Sequence, residues 1–405
     1  MATDNNNKVL NVPNLRFPEF SGEWERDSLM NIASISKGSG ISKEQLSDSG
    51  LPCILYGELY TKYKSEVITD IYSKTDIETK GLVSSMANDV IIPCSGEAAI
   101  EIATARCVPM SNILLGGDLN IIRLNGHDGR FFAYQLNGKR KIDIAKVAQG
   151  VSVVHLYGEH LKKINVVYPS FAEQNKIAQL LSLIDERIVT QNKIIEDLKK
   201  LKVAISNRLL NNKTLLNKTA PLSKFGDLKN GYAFKSSAYV PNGNYNIVTI
   251  ANVNGDREIV TDNCNTISSV PTDIQSHQIL KSGDILISLT GNVGRVSLNK
   301  GNNNLLNQRV GLFVPNNSIS SEFLYQTLSF VQFENSMINL AQGAAQLNIG
   351  KGDVESYQVR YSENEHLISQ ITQILLGYDK KIEIENKYLQ SLLAQKSYLL
   401  SNMFI

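Results

Sequence analysis

Asn88-Asp89-Val90-Ile91-Ile92 returns 195 residues later as Gly283-Asp284-Ile285-Leu286-Ile287. Each is a turn residue and an aspartate ahead of a short, branched apolar run, the pattern of a buried strand. Ser95-Gly96 follows the first and Thr290-Gly291 the second. Upstream, Leu29, Ile32 and Gly38 match Leu222, Phe225 and Gly231 at an offset of 193. Downstream, Ala148-Gln149-Gly150 matches Ala341-Gln342-Gly343 at the same offset. Farther on, Asp185, Ile188, Asn192, Lys193, Leu198 and Lys202 are identical to Asp379, Ile382, Asn386, Lys387, Leu392 and Lys396 at an offset of 194. An offset that holds within two residues over half a chain marks a tandem duplication.

Each copy has the same internal order. A globular segment comes first, residues 1–170 and then 219–362, and carries most of the Gly, Pro and aromatic residues. Its short strand-like runs at 90–92, 121–124, 247–250 and 285–289, bounded by Gly, Asn and Asp, predict an α+β fold. A helical segment follows, in 171–218 and again in 363–405, free of proline within about 171–211 and 364–404 and with Gly377 as its only glycine there. Ser170 and Glu173 have capping-box spacing, which predicts a helix start at 171.

Both helices carry a seven-residue apolar repeat. In the first, Leu181, Ile188, Ile195, Lys202 and Leu209 interleave with Ile184, Gln191, Leu198 and Ile205. In the second, Leu375, Ile382, Leu389, Lys396 and Met403 interleave with Ile371, Tyr378, Glu385, Leu392 and Leu399. Such a seam needs a partner helix, and polar breaks at matching places (Gln191 with Glu385, Lys202 with Lys396) restrict its register. A helix of this length spans roughly 55 Å, longer than a domain of this size would cover. The helices are therefore read as an antiparallel coiled-coil pair. They act as spacers in a pseudo-two-fold repeat with two similar heads at opposite ends.

The composition is that of a globular chain. Of 405 residues, 42% are apolar and 20% charged, which excludes a mainly disordered or collagen-like protein. No apolar run reaches the 18 or so residues of a membrane span. The opening Met1-Ala2-Thr3-Asp4 has neither a basic region nor an apolar one, so no secretory signal is expected. Cys53, Cys94, Cys107 and Cys264 lie too far apart for a metal-binding pair and read as reduced thiols of a cytoplasmic protein.

Catalytic patterns are missing. The sequence has no P-loop, no G-x-G-x-x-G behind a strand, and no Asn-Pro-Pro-aromatic signature of amino-methylating enzymes. Asp70 with Glu78 and Lys80 is too loose to be a nuclease triad, and His155, Glu159 and His160 read as a surface turn rather than a metal site. Neither Ser95 nor Thr290 sits in a nucleophile elbow. No catalytic residue, metal or cofactor is expected.

The duplicated plan, with the stretches just quoted, resembles the specificity subunit of type I restriction–modification systems. The opening Val12-Pro13-Asn14-Leu15-Arg16-Phe17-Pro18-Glu19-Phe20 and Gly22-Glu23-Trp24 is similar to the start of that family in Gram-positive bacteria. So are Gly-Asp-Ile-Leu-Ile at 283–287, Gly294, and the Ala-Gln-Gly ahead of each helix. The resemblance covers nearly the whole chain. It implies a non-catalytic subunit whose two target-recognition domains, residues 1–170 and 219–362, each read half of a split double-stranded DNA target. The helices would dock two modification (methyltransferase) subunits, and restriction (motor-nuclease) subunits would complete the assembly; no membrane is involved. A coiled-coil adaptor that binds no DNA is the alternative. The first copy departs from the pattern, with Ala87-Asn88-Asp89 where the second has Ser282-Gly283-Asp284; this predicts an intact strand behind a different turn.

Base edges are read by Arg on guanine, Asn or Gln on adenine, and Asp or Glu on cytosine. The candidates are Lys37, Arg106, Lys139, Arg140 and Lys141 in the first head, and Lys235, Asn292, Arg295, Gln308 and Arg309 in the second. Asp89 with Asp284, Glu58 with Asn252, and Gly38 with Gly231 match in both copies, which suits framework roles because the heads should read different sequences. Charge is a poor match to DNA binding: residues 1–170 carry net −1 and 219–362 net 0, so phosphate contacts are expected from partner subunits.

Overall fold

The computed structural model describes residues 11–341 and 347–405, so Gln342-Gly343 of the second Ala-Gln-Gly lies outside the described residues. Two compact units divide the chain: residues 1–192 with 387–405, and residues 193–386.

In the first unit, an antiparallel sheet runs in the order Ala33–Lys37, Leu119–Leu124, Asp89–Pro93, Arg106–Val108. A second sheet contains Leu51–Ile54 paired in parallel with Leu114–Leu115. In the second unit the same order recurs as Gly226–Asn230, Val310–Pro315, Ile285–Ser288, Val296–Leu298, and the second sheet pairs Tyr245–Val248 in parallel with Asn304–Leu306. A two-stranded ribbon at the base of each unit repeats residue for residue: Glu25↔Tyr168 corresponds to Lys218↔Tyr361, and Ser28↔Asn165 to Pro221↔Gln358, all at an offset of 193. The duplication is thus structural, down to strand register.

The long helices span Phe171–Leu210 and Glu365–Asn402. They do not stand free of the domains along their length. Ile177, Leu181 and Ile184 of the first helix and Leu399 and Met403 of the second join Phe131, Phe132 and Tyr134 in one core of the first unit. In the second unit, Leu210 with Ile368, Ile371 and Leu375 packs on Phe323, Phe333 and Val359. Within each unit the helices run antiparallel. Of the seam residues, Leu181, Ile184, Ile195, Leu375, Leu392 and Leu399 are buried, and Ile188, Leu198, Ile205, Tyr378, Ile382 and Leu389 are half-buried.

Two buried ion pairs sit on the seam. In the first unit the Lys396 ammonium lies 2.6 Å from both Asp185 and Glu66, and Tyr134 donates to Asp185 at 2.8 Å. In the second, Lys202 meets Asp379 at 2.5 Å, and Asp379 also accepts from Arg257 at 3.0 Å and Gln326 at 2.6 Å. The lysines read from sequence as polar breaks are therefore paired with the very aspartates that the repeat matched. Burial raises the Asp185 carboxyl above its ordinary value; Lys396 pulls it down and Glu66 pushes it up again.

Two local expectations need correction. Glu173 does not close a capping box. Its carboxylate takes the Arg16 guanidinium at 2.8 Å twice over, so Arg16 of the opening motif straps the start of the helix. Nor does the turn before Asp89 differ from its counterpart. Asn88 adopts φ 80° where Gly283 has 90°, because Asn tolerates the left-handed region better than other non-glycine residues. The aspartates then close their turns in the same way: Asp89 accepts from the Met86 amide at 2.8 Å and Asp284 from the Lys281 amide at 2.7 Å.

Candidate nucleic-acid interface

In each unit the strands of both sheets end together, and the loops that leave them converge. In the second unit, Asn230, Val248, Ser288 and Leu306 are strand ends, and Asn307-Gln308-Arg309 carries the chain from one sheet directly into the other. Backbone bonds knit the cluster: Tyr232 N to Leu306 O at 2.8 Å, Asn307 N to Val248 O at 3.1 Å, and Leu289 N to Arg309 O at 3.0 Å. In the first unit the corresponding bonds are Ser39 N to Leu115 O at 2.9 Å, Gly116 N to Ile54 O at 2.9 Å, and Cys94 N to Asp118 O at 2.7 Å.

Matched glycines make the approach possible. A Cβ on Gly38 would land on the Gly116 carbonyl oxygen, and one on Gly231 on that of Asn307. Matched polar residues hold a third loop: Glu58 accepts from the Leu55 amide at 2.9 Å, and Asn252 from the Thr249 amide at 2.8 Å. Ser95 bridges to His155 in the first unit, and Thr290 to Asn348 in the second, where the Thr290 hydroxyl and the Asn348 Oδ1 lie 2.9 Å apart. This framework is common to both units. The exposed side chains on it are not.

All five candidates of the second unit lie on the loops that leave these strands. Lys235 follows Tyr232 and Phe234, whose rings meet edge-on at 4.8 Å. Lys235, Asn292, Gln308 and Arg309 are exposed. Arg295 is half-buried and pairs with Glu334 at 3.2 Å. Lys235 and Arg309 have no ion-pair partner among the described residues.

The first unit differs. Lys37 is exposed at the end of its strand, immediately before Gly38. Arg106 is buried, its guanidinium donating to the carbonyls of Tyr63 at 3.0 Å and Ala105 at 2.9 Å; it holds the fold and cannot reach a duplex. Lys139, Arg140 and Lys141 lie at the turn between helices Gly129–Asn137 and Lys141–Val147, where Arg140 donates to the Ile405 carbonyl at 3.2 Å and meets Asp143 at 3.6 Å. Among the described residues no hydrogen bond joins them to the strand-end loops. Sequence reasoning missed Asp118, which is exposed in the cluster with its carboxylate 3.3 Å from the Ser95 hydroxyl.

The histidine trio has ordinary partners: His155 stacks on Tyr157, His160 Nδ1 lies 3.1 Å from the Val147 carbonyl, and Glu159 pairs with Lys162 at 2.6 Å. Among the described residues no helix is long and apolar enough to cross a membrane.

Comparison with known proteins fits this arrangement. The model of the family described as "Type I restriction modification DNA specificity domain" matches twice, over residues 21–200 and 217–394. The type I restriction enzyme MjaVIII specificity subunit of Methanocaldococcus jannaschii is 26% identical over 317 residues, covering 72% of each chain. The type I restriction–modification S subunit from M. genitalium superposes with a TM-score of 0.64 at 18% identity, covering 97% of this chain and 99% of that one. A chain solved in work on complex assembly and conformational transition of the type I R-M system gives a TM-score of 0.52 at 13% identity, covering 94% and 97%.

Proposed function

The chain belongs to the type I restriction modification DNA specificity family, and from that premise we propose how its two units divide the work of reading DNA. It is the specificity subunit of a type I restriction–modification system, the non-catalytic component that recognises DNA and assembles with other subunits. The strand-end loops of residues 1–170 read one half of a split target, and those of residues 219–362 the other. The observation that carries this reading is the framework shared by both loop clusters with different exposed side chains on it, as expected of two heads with separate sequences to read. The long helices separate the two readings and dock two modification subunits on their outer faces; restriction subunits then complete the nuclease. Acting on DNA, the assembly works in the cytoplasm.

The heads should be separable. Arg309 has no ion-pair partner among the described residues, so Arg309→Ala removes a possible bidentate guanine contact, with about 1–3 kcal/mol of discrimination at stake. Arg295 already spends its charge on Glu334, and Arg295→Ala should have the smaller effect. Sequencing the sites methylated by the reconstituted complex should show one position relaxed in the half-site read by residues 219–362, and the other half-site intact. Relaxation of both half-sites together would refute the division of labour.

A further inference from the structure

Overlaying the two loop clusters by their hydrogen bonds pairs two residues that the sequence repeat leaves unaligned. Gly116 stands where Asn307 does: each carbonyl lies against the matched glycine, Gly38 or Gly231, and each forms the parallel bridge to the next residue, Ser39 or Tyr232. Two residues on, the Asp118 carbonyl accepts from Cys94 N, and the Arg309 carbonyl accepts from Leu289 N. One residue further, each chain enters the central strand of its sheet, Leu119 opposite Pro93 and Val310 opposite Ser288. Asp118 and Arg309 therefore occupy the same place. Both are exposed. Backbone bonds on either side hold their main chains, so neither side chain is needed for the fold. An acceptor-only carboxylate stands at this place in one unit and a donor-only guanidinium in the other.

We propose that this position is a specificity determinant in both heads, read with opposite polarity: Arg309 addresses guanine, and Asp118 addresses the amino group of cytosine. The inference rests on the proposed function. Its chemical basis is that guanine offers two acceptors, O6 and N7, in the major groove, whereas cytosine offers the N4 donor. A carboxylate on a duplex-facing loop would be repelled by phosphates unless it were turned to such a donor. The Ser95 hydroxyl beside it, at 3.3 Å, can orient the carboxylate without neutralising it. Lys37, at the end of the adjacent strand, supplies the nearby phosphate contact that lets an acidic residue approach the groove.

The test uses the complex with modification subunits, and reads methylated sites by sequencing. Each half-site of the parent complex should contain a required C·G pair; a half-site made only of A·T pairs overturns the proposal for its head. Asp118→Asn and Arg309→Gln each install an amide, which pairs bidentately with adenine. The first should move one position of the half-site read by residues 1–170 from cytosine to adenine. The second should move one position of the other half-site from guanine to adenine. The preference should change by about ten-fold or more in each case. Unchanged half-sites with either variant overturn the proposal while leaving the two-headed reading intact. So does a loss of binding spread evenly over all sequences, with a shallower salt dependence, which is the mark of a phosphate contact. A parent complex that methylates no split target removes the functional reading itself.

Discussion

A glycine pair shows how much function depends on a few atoms. Gly231 lets the Asn307-Gln308-Arg309 loop close on the strand end, and Gly231→Ala would drive a methyl group into the Asn307 carbonyl. The expected cost is about 1–3 kcal/mol, with reading lost in the half-site of residues 219–362 only. Gly57→Ala is the control, since a Cβ there meets nothing within 4 Å; thermal melting should barely change. Loss of both half-sites with Gly231→Ala would contradict this account. At this scale the sequence was legible wherever one position does one thing in both copies: Gly38 with Gly231, Asp89 with Asp284, and the side-chain acceptors Glu58 and Asn252. It misled where charge alone was the guide. Arg106 looked like any loop arginine, because nothing in the neighbouring sequence says that Tyr63 and Ala105 will bury it. Asp118 was invisible for the opposite reason. The repeat slips from an offset of 195 to one of 191 between Asp89 and Gly116, and the identities at the new offset, Leu114-Leu115 with Leu305-Leu306 and Asn125 with Asn316, are of residue types too common to announce the slip.

Among the elements, the long helices were the most legible, because a seven-residue period over forty residues leaves little choice of structure. What the period could not tell was how the lysines in the seam are tolerated. Lys396 is the only cation in ion-pair contact with Asp185 and Glu66 among the described residues, the Arg106 guanidinium standing farther off, whereas Asp379 keeps Arg257 and Gln326 even without Lys202. Lys396→Met should therefore cost about 3–5 kcal/mol, the penalty for stranding a buried charge. Lys202→Met should cost less, about 1.5–3 kcal/mol, the range for losing a charged hydrogen bond. The pH dependence has a definite sign. Asp185 already has a raised folded-state pKa, and without Lys396 it should rise further. A carboxyl raised in the folded state penalises folding above that pKa and ceases to do so as pH falls through it. The stability gap between Lys396→Met and the parent should narrow from neutral into acid pH; a gap that widens would be inconsistent with a stranded Asp185. The same pairs govern insertions. Four residues added after Lys199 lengthen that helix by roughly 6 Å, but lie between Asp185 and Lys202, so both ion pairs cannot re-form against an unaltered partner helix. Matching insertions after Lys199 and Leu393 should restore assembly and methylate unchanged half-sites across a longer gap. Equal activity from the single insertion would show that the pairs do not set register.

For the molecule as a whole, charge limits what it can do alone. The two head segments carry net −1 and net 0. Much of their positive charge is spent internally: Arg16 on Glu173, Arg123 on Asp89, Arg130 on Asp128, Arg257 on Glu322 and Asp379. On the loop clusters, Lys37, Lys235 and Arg309 are the exposed cations without an ion-pair partner among the described residues. Each phosphate neutralised releases about 0.9 of a counterion, so three such contacts give a slope of log K against log salt no steeper than about −3. Proteins that hold DNA unaided commonly make six to ten phosphate contacts, with correspondingly steep slopes. The isolated chain should thus bind even its own target weakly, and with little response to salt. Addition of modification subunits should raise the affinity and steepen the slope together, because the added phosphate contacts come from them. Fluorescence anisotropy on a target duplex, titrated over a range of salt with and without the modification subunit, measures both quantities. Tight binding by the chain alone with a slope of about −6 or steeper would mean that phosphate contacts come from cations outside the loop clusters, and the interface would have to be sought elsewhere on the two units. A steep slope appearing only in the complex would instead show that this subunit contributes sequence discrimination while its partners contribute the hold on the backbone.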